Sequence, residues 1–359
     1  MHHTMHNSVM GLEDGTIVYG RSVGAEGVVC GELVFTTQFT GYEEALTDPS
    51  YKGQILMFTY PLIGNYGVSG RKFQSDGIKA EAVVVREACP SPSHYTSQLT
   101  FREWLKKEGK VCIEGVDTRE LTIKLRSYGT LRACIITNSL DGEEAVKLAR
   151  RHPTISELEL VRDVTCPEHY VLGKGDKKIG ILDLGVKRNI ITNVLKRECE
   201  VHVFPADTSP DVIVESGVDA LLISNGPGDP KRAKNAIRCV KEIVGQIPLY
   251  GICFGHQIIS LGLGGDTYKL KFGHRGANQP VRDLEGRVLI TSQNHGFAVD
   301  EFSLDGTGLE VSYVNLNDGT VEGVECRELM VKAVQFHPEA SPGPHDSEAF
   351  FDKVVRCEL

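Results

Sequence analysis

Residues 248–257 read PLYGICFGHQ, and the architecture of the chain's second half follows from them. Ile247, Leu249, Tyr250 and Ile252 form an apolar, β-prone run that delivers Cys253, with Gly251 two positions before it and Gly255 two after. That is the spacing of a nucleophile elbow, a sharp strand-to-helix turn. Residues flanking such a turn crowd one another, so glycine removes clashing Cβ atoms and tolerates the backbone angles required. A thiol there sits at the N-terminus of the next helix, expected over 255–263, where free N–H groups and the helix dipole favour thiolate. A lone cysteine closing a buried strand also reads as an inert small hydrophobe. A partner is needed to decide between the two.

The partner is found in VQFHPE, residues 334–339, where an apolar run ends in His337 with Glu339 two positions on. A cysteine nucleophile needs a base to take its proton and return it to the leaving group, and the base needs a carboxylate to fix its tautomer. Cys253, His337 and Glu339 supply these three parts. Next to the elbow, His256 is a tempting base. Adjacent helix positions diverge by about 100°, so His256 is expected to face away from Gln257. His337 is the preferred base.

Working outward from the elbow, the runs 179–185 (IGILDLG), 201–205 (VHVFP) and 220–226 (ALLISNG) alternate with helix-like segments. Buried strands separated by crossover helices imply a doubly wound parallel sheet, which binds ligands beyond the carboxyl ends of its strands. Two of those ends carry polar chemistry. One is Cys253; the other is SNGPGDP, 224–230. The latter reads as a plain tight turn or as side-chain-free backbone offering N–H groups to an oxyanion. At an elbow, the N–H of Phe254 is the second such donor. Further on, 267–272, 287–292 and 310–315 read as antiparallel additions, and 346–357 as a closing amphipathic helix.

The first half has a different rhythm. Short β-type runs at 27–35, 54–59 and 81–86 are broken by Gly, Pro, Asp and Ser, with helices expected over 97–108 and 119–128. The fold class expected is α/β: an N-terminal mixed α/β domain over 1–141, a linker region over 142–176, and a doubly wound parallel-sheet domain over 177–359. The linker region holds a helical stretch over 143–151, two prolines, an acidic patch and the polar, flexible GKGDKK.

Composition narrows the function classes. A net charge of -9 and a pI near 5.8 argue against a nucleic-acid partner, which requires clustered Lys and Arg. Ten cysteines are scattered singly, without a CxxC pair or metal-type spacing to histidine. Neither a metal site nor a disulfide framework is expected, and a reducing, cytoplasmic compartment is. No run approaches the ~20 apolar residues of a membrane span, and no export signal is visible. His2, His3 and His6 read as a disordered, histidine-enriched terminus.

With these residues in hand, GxCxG followed by Gln257, with HPE downstream, resembles the triad-type (class I) glutamine amidotransferases. The N-terminal half narrows this. Phe35-Thr36-Thr37, Thr40-Gly41-Tyr42-Glu43-Glu44, LTDPSYKGQI (46–55), TYPLIGNYG (59–67) and VDTRELTIKLR (116–126) resemble the small, glutamine-hydrolysing subunits of carbamoyl-phosphate synthetase. The resemblance implies that Gly226, Gly228, Phe254 and Gln257 contact glutamine. It also implies that Asn294, Gly296 and Phe297 hold the substrate's α-amino and α-carboxyl groups, and that Ser50, on composition only a turn former, reaches the bound glutamine. It implies ammonia delivery through an enclosed passage to a large partner subunit that consumes bicarbonate and ATP with magnesium, in arginine or pyrimidine biosynthesis. No cofactor is expected in this subunit, and no GxxxxGK[ST] phosphate loop is present.

Three other readings stand beside this one. Another triad amidotransferase, such as the glutaminase component of anthranilate synthase, leaves the first half unexplained. A cysteine hydrolase of another kind and a non-enzymatic sensor that kept the fold are the others. The choice of base yields a test: replacing His337 with alanine abolishes thioester chemistry, whereas His256→Ala leaves it largely intact, as measured by single-turnover glutaminase assays.

Overall fold

A computed structural model of the chain describes residues 6–359; His2 and His3 lie outside the described residues, and His6 stacks on Tyr19. Two compact units divide it, Met1–Leu158 and Glu159–Leu359. In the first, strands close into a barrel in the order Ser8–Leu12, Ile17–Ser22, Val111–Glu114, Ala82–Val85, Gln54–Phe58, Val28–Thr36 and Leu131–Thr137, the last pairing with the first. Three successive pairings are parallel, joining Val28–Thr36 to Gln54–Phe58, Gln54–Phe58 to Ala82–Val85, and Ala82–Val85 to Val111–Glu114. The mixed α/β expectation for this half thus takes the form of a barrel with short helices around it. The helix expected over 97–108 starts later, at Phe101–Lys107, because Thr100 and Glu103 form a reciprocal capping box there.

The TGYEE stretch that carries part of the family resemblance has a structural task in this unit. Tyr66 Oη accepts the N–H groups of Gly41 and Tyr42, and Tyr42 Oη donates to Gly67 O. Glu43, 1% exposed, accepts from the N–H of Ser69 and of Gly70. A buried carboxylate is tolerated here because backbone donors replace water.

The cysteine reading needs a correction. Cys30 and Cys134 are direct cross-strand partners in the barrel and are joined as a disulfide, Cα–Cα 4.0 Å. They are separated by 104 residues in sequence, so no local spacing announces them.

The helix expected over 143–151 is present, whereas a separate linker over 142–176 is not: the segment is divided between the two units. Gly142–Arg151 is a helix capped by Asp141, with Glu143 and Glu144 in its first turn and Arg150 and Arg151 in its last, as the helix dipole favours. Its buried face, Ala145, Val146 and Ala149, packs on the barrel strand Ser8–Leu12. The approach is close: a Cβ on Gly11 would stand 2.3 Å from Val146 N. Beyond the helix, Val161 joins the core of the second unit, and Tyr170–Leu172 pairs antiparallel with Glu200–Pro205.

The second unit is a ten-stranded sheet among the described residues. Its parallel part runs Glu200–Pro205, Lys178–Asp183, Ala220–Ile223, Leu249–Ile252, Val331–Val334, all in parallel register. Val321–Cys326, Glu310–Asn315, Thr267–Asp283 and Val288–Val299 extend it antiparallel. Apolar side chains cover both faces, with Leu182, Leu221, Val240 and Ile258 in one cluster and Ile181, Leu222, Tyr250 and Phe351 in the other. That is why these strands read as continuous apolar runs rather than alternating ones. The closing helix is shorter than expected, Phe350–Arg356.

The glycine contact can be tested directly. Gly11→Ala forces the Gly142–Arg151 helix off the barrel and lowers stability by roughly 1–3 kcal/mol, measured by urea unfolding of the full chain against wild type.

Candidate active site

Cys253 and His337 are brought together by the register of two neighbouring strands. Leu249–Ile252 and Val331–Val334 are parallel with Ile252 opposite Val334, so the residues that follow both strands leave the sheet at the same edge. The Cys253 N–H donates to Val334 O at 2.8 Å, holding the elbow to the strand that leads to His337. From the other side, the His337 N–H donates to Ser292 O at 2.8 Å, tying this segment to the strand Val288–Val299.

At the elbow Cys253 has φ 55° and ψ −101°, a conformation that costs a non-glycine residue free energy and persists only when its surroundings enforce it. The flanking glycines show what enforces it. A Cβ on Gly251 would lie 2.7 Å from Gly255 C, and one on Gly255 would lie 2.0 Å from Ile223 O. The helix Phe254–Gly262 begins immediately after the cysteine. Phe254 is its first residue, so its N–H has no acceptor within the helix. Cys253 is 2% exposed and its Sγ contacts Asn294 O at 3.5 Å.

Electrostatics bind His337 to Glu339. His337 Nδ1 and Glu339 Oε1 are 2.6 Å apart, with exposures of 1% and 0%. Two charges this deep require compensation. It comes from Lys187, whose Nζ lies 2.9 Å from Glu339 Oε1 and donates to Ala340 O at 2.7 Å. Burial by itself would raise the Glu339 carboxyl; Lys187 and His337 outweigh burial and hold it well below the usual carboxylate range. For His337, burial works against the imidazolium and Glu339 overcomes it, so the ring is held protonated far above an ordinary histidine. Its Nε2 makes no ordinary hydrogen bond, and the Cys253 sulfur lies close enough to favour the protonated ring further.

Lys187 was not singled out by sequence, although one signal was present. It stands at the N-cap of the helix Arg188–Leu195, where the dipole disfavours a cation, so its presence there implies an anion elsewhere. Gln335 was also missed. It is fully buried and places its side-chain N–H 3.6 Å from Cys253 Sγ.

The expected glutamine-contact residues fall into three groups. Phe254, Gln257, Asn294 and Phe297 gather around the thiol: Asn294 through its contact with Sγ, and Gln257 by donating Nε2–H to Phe297 O at 2.7 Å and to Gln335 Oε1 at 3.0 Å. With both amide hydrogens committed, Gln257 Oε1 is the atom it can offer a ligand's ammonium. Gly296 lies between Asn294 and Phe297 on the same strand. Gly226 and Gly228 follow the strand Ala220–Ile223, the neighbour of the cysteine strand. A Cβ on Gly226 would stand 2.4 Å from Leu184 O, and Gly228 has φ +85°, so glycine is required at both positions on steric grounds. Ser50 belongs to the first unit, in the short turn Pro49–Tyr51, with its N–H donated to Asp48 Oδ1.

The expectation that His256 faces away from Gln257 is corrected. His256 Nδ1 lies 3.2 Å from Gln335 Oε1, the same oxygen that accepts from Gln257. Burial drives His256 down to about 4, so it is a neutral donor to that oxygen.

Among the described residues, His274, His295 and Glu322 form a group whose ligand-capable atoms lie within 4.8 Å of one another. Their hydrogen bonds describe a buried ion network instead. His274 Nε2 meets Asp318 Oδ2 at 2.9 Å and its Nδ1 faces Glu322 Oε1 at 3.5 Å, while Asn315 donates to the same Glu322 oxygen. His295 is engaged at both ring nitrogens, by Phe297 O and Gln293 Oε1. No helix of the described residues is long and apolar enough to cross a membrane.

Comparison with known proteins places both units. Residues 180–357 match the family Glutamine amidotransferase class-I, and residues 10–135 match Carbamoyl-phosphate synthase small chain, CPSase domain. The carbamoyl phosphate synthase small chains of Methanosarcina acetivorans and Archaeoglobus fulgidus are 61% and 50% identical to this chain, over 97% of it and 98% of each relative. That of Clostridium acetobutylicum is 46% identical, over 96% of this chain and 98% of its own.

The ion network gives a pH prediction. Burial opposes the charged form of His274, but Asp318 and Glu322 raise it to about 9, against an unfolded value of about 6.5. A raised histidine contributes stability that is complete below pH ~6.5 and lost as pH rises through ~9. The unfolding free-energy difference between wild type and His274→Gln therefore shrinks by a few kcal/mol between pH 6 and 9.5, read by urea titration.

Proposed function

Because the chain belongs to the family of carbamoyl phosphate synthase small chains, we propose that it is the glutaminase subunit of such a synthase and that Cys253, His337 and Glu339 are its catalytic triad. The observation that carries this reading is the parallel pairing of Ile252 with Val334, which puts the sulfur and the imidazole at one sheet edge.

In the first step the sulfur reacts as the thiolate, its proton held on His337 Nε2 by the field of Glu339. The sulfur attacks the side-chain amide carbon of glutamine. Backbone N–H groups of Phe254 and of the Gly226–Gly228 turn hold the tetrahedral oxyanion, where one donor contributes on the order of 3 kcal/mol. His337 returns the proton to the departing nitrogen, ammonia leaves, and a γ-glutamyl thioester remains. Water activated by His337 then cleaves the C–S bond to give glutamate and the free thiol. Gln257, Asn294, Gly296 and Phe297 are assigned to the substrate's remaining groups.

Lys187 has a defined part in this scheme. It keeps Glu339 ionised, and ionised Glu339 keeps Nδ1 of His337 protonated so that Nε2 faces the sulfur. The half-reaction requires no metal or organic cofactor. Ammonia is protonated in water, which makes direct transfer to a large subunit holding ATP, magnesium and bicarbonate the sensible destination.

The test is reconstitution with a large subunit from a close relative, supplying glutamine or ammonium as nitrogen source. Cys253→Ser lowers glutamine-dependent carbamoyl phosphate synthesis by three orders of magnitude or more and leaves ammonium-dependent synthesis intact. Equal loss of both would assign Cys253 a structural role.

A further inference from the structure

Gln335 is two residues before His337 in the bend that follows the strand Val331–Val334. Both side chains reach the elbow, Gln335 through its amide and His337 through its ring. Gln335 is 0% exposed, its backbone N–H is taken by Glu322 O at 2.8 Å, and its side chain closes a circuit around the nucleophile. Nε2 donates toward Cys253 Sγ at 3.6 Å, while Oε1 accepts from Gln257 Nε2 at 3.0 Å and from His256 Nδ1 at 3.2 Å.

The amide's orientation is dictated by this circuit. Two donors converge on one atom, so that atom is the carbonyl oxygen. A flipped amide would set its own N–H₂ against the Gln257 donor and turn a lone pair toward the sulfur. His256 and Gln257, adjacent in the elbow helix, therefore lock a donor onto the residue that begins that helix. An amide this deeply buried requires such partners to be tolerated.

We infer that Gln335 is a hydrogen-bond donor to the reacting sulfur of Cys253, held in the donating orientation by Gln257 and His256. The inference rests on the reading of Cys253 as the nucleophile and adds a second polar contact to it. The bond is weak while the sulfur is a neutral thiol and strengthens when the proton has passed to His337 and the sulfur carries charge. It weakens again in the thioester and returns when hydrolysis breaks the C–S bond and the electron pair goes back to sulfur. The donor thus favours both the attacking and the leaving form of the sulfur. It also accounts for His256, which the proton transfers do not use.

The experiment is iodoacetamide alkylation of the full chain across pH, following the Cys253 peptide by mass spectrometry so that the other cysteines do not contribute, for wild type, Gln335→Met and Gln335→Glu. Loss of a hydrogen bond to a charged group corresponds to on the order of tenfold. Gln335→Met should therefore alkylate about tenfold more slowly at neutral pH, with its rate profile moved about one pH unit alkaline. Gln335→Glu, nearly isosteric, should move further because it sets a carboxylate against the sulfur. A folded variant of either kind with the wild-type profile overturns the assignment. The readout needs no glutamine turnover, so the two readings separate. A wild type that alkylates only in the alkaline range of an ordinary thiol sinks the nucleophile itself. A reactive wild type with unshifted variants sinks only the role of Gln335.

Discussion

The site depends on one backbone register. Ile252 and Val334 are opposite each other in adjacent parallel strands, and the Cys253 N–H is fixed to Val334 O. A slip of one residue would rotate Gln335 and His337 to the other face of the sheet and leave the thiol with neither. The register is protected by burial on both faces of the sheet and by the glycine contacts at the elbow. Packing far from the chemistry thereby sets the distances within it.

On this frame the polar groups form a graded series. Lys187 compensates Glu339, Glu339 sustains the charge on His337, and His337 faces the sulfur. The sulfur is also met by the Gln335 amide, itself positioned by Gln257 and His256. Each buried charge or dipole has a partner one step farther from the thiol, the arrangement by which a low-dielectric interior tolerates polarity. Replacing any member leaves its neighbour uncompensated, which is why residues that never touch substrate belong to the site's energetics.

How much of this was legible in the chain depended on whether the signal was local. The elbow declared itself because its glycines stand within two positions of Cys253, and the parallel sheet because strands covered on both faces read as apolar runs. The His337–Glu339 contact is legible because the two residues are neighbours in sequence. Lys187 carried only an indirect sign, a cation where a helix dipole repels one. The Cys30–Cys134 bridge and the closure of the barrel left no sign, since both rest on pairings between distant strands. Over 142–176 the helix is legible but its docking is not, because the small residues Ala145 and Ala149 that allow close approach to Gly11 give no sign of the strand they pack on. The elbow histidine was misplaced because angular separation on a helix ignores a long acceptor such as Gln335 that two neighbours can share.

Closure of the ring in the first unit restricts how anything can attach to it. Among the described residues every strand of the ring has a neighbour on both sides, which restricts the unpaired amides at which a foreign segment could continue the ladder. Recognition of that face must therefore go through side chains and loops, a mode whose specificity is written in surface chemistry and can drift between species without disturbing the scaffold beneath.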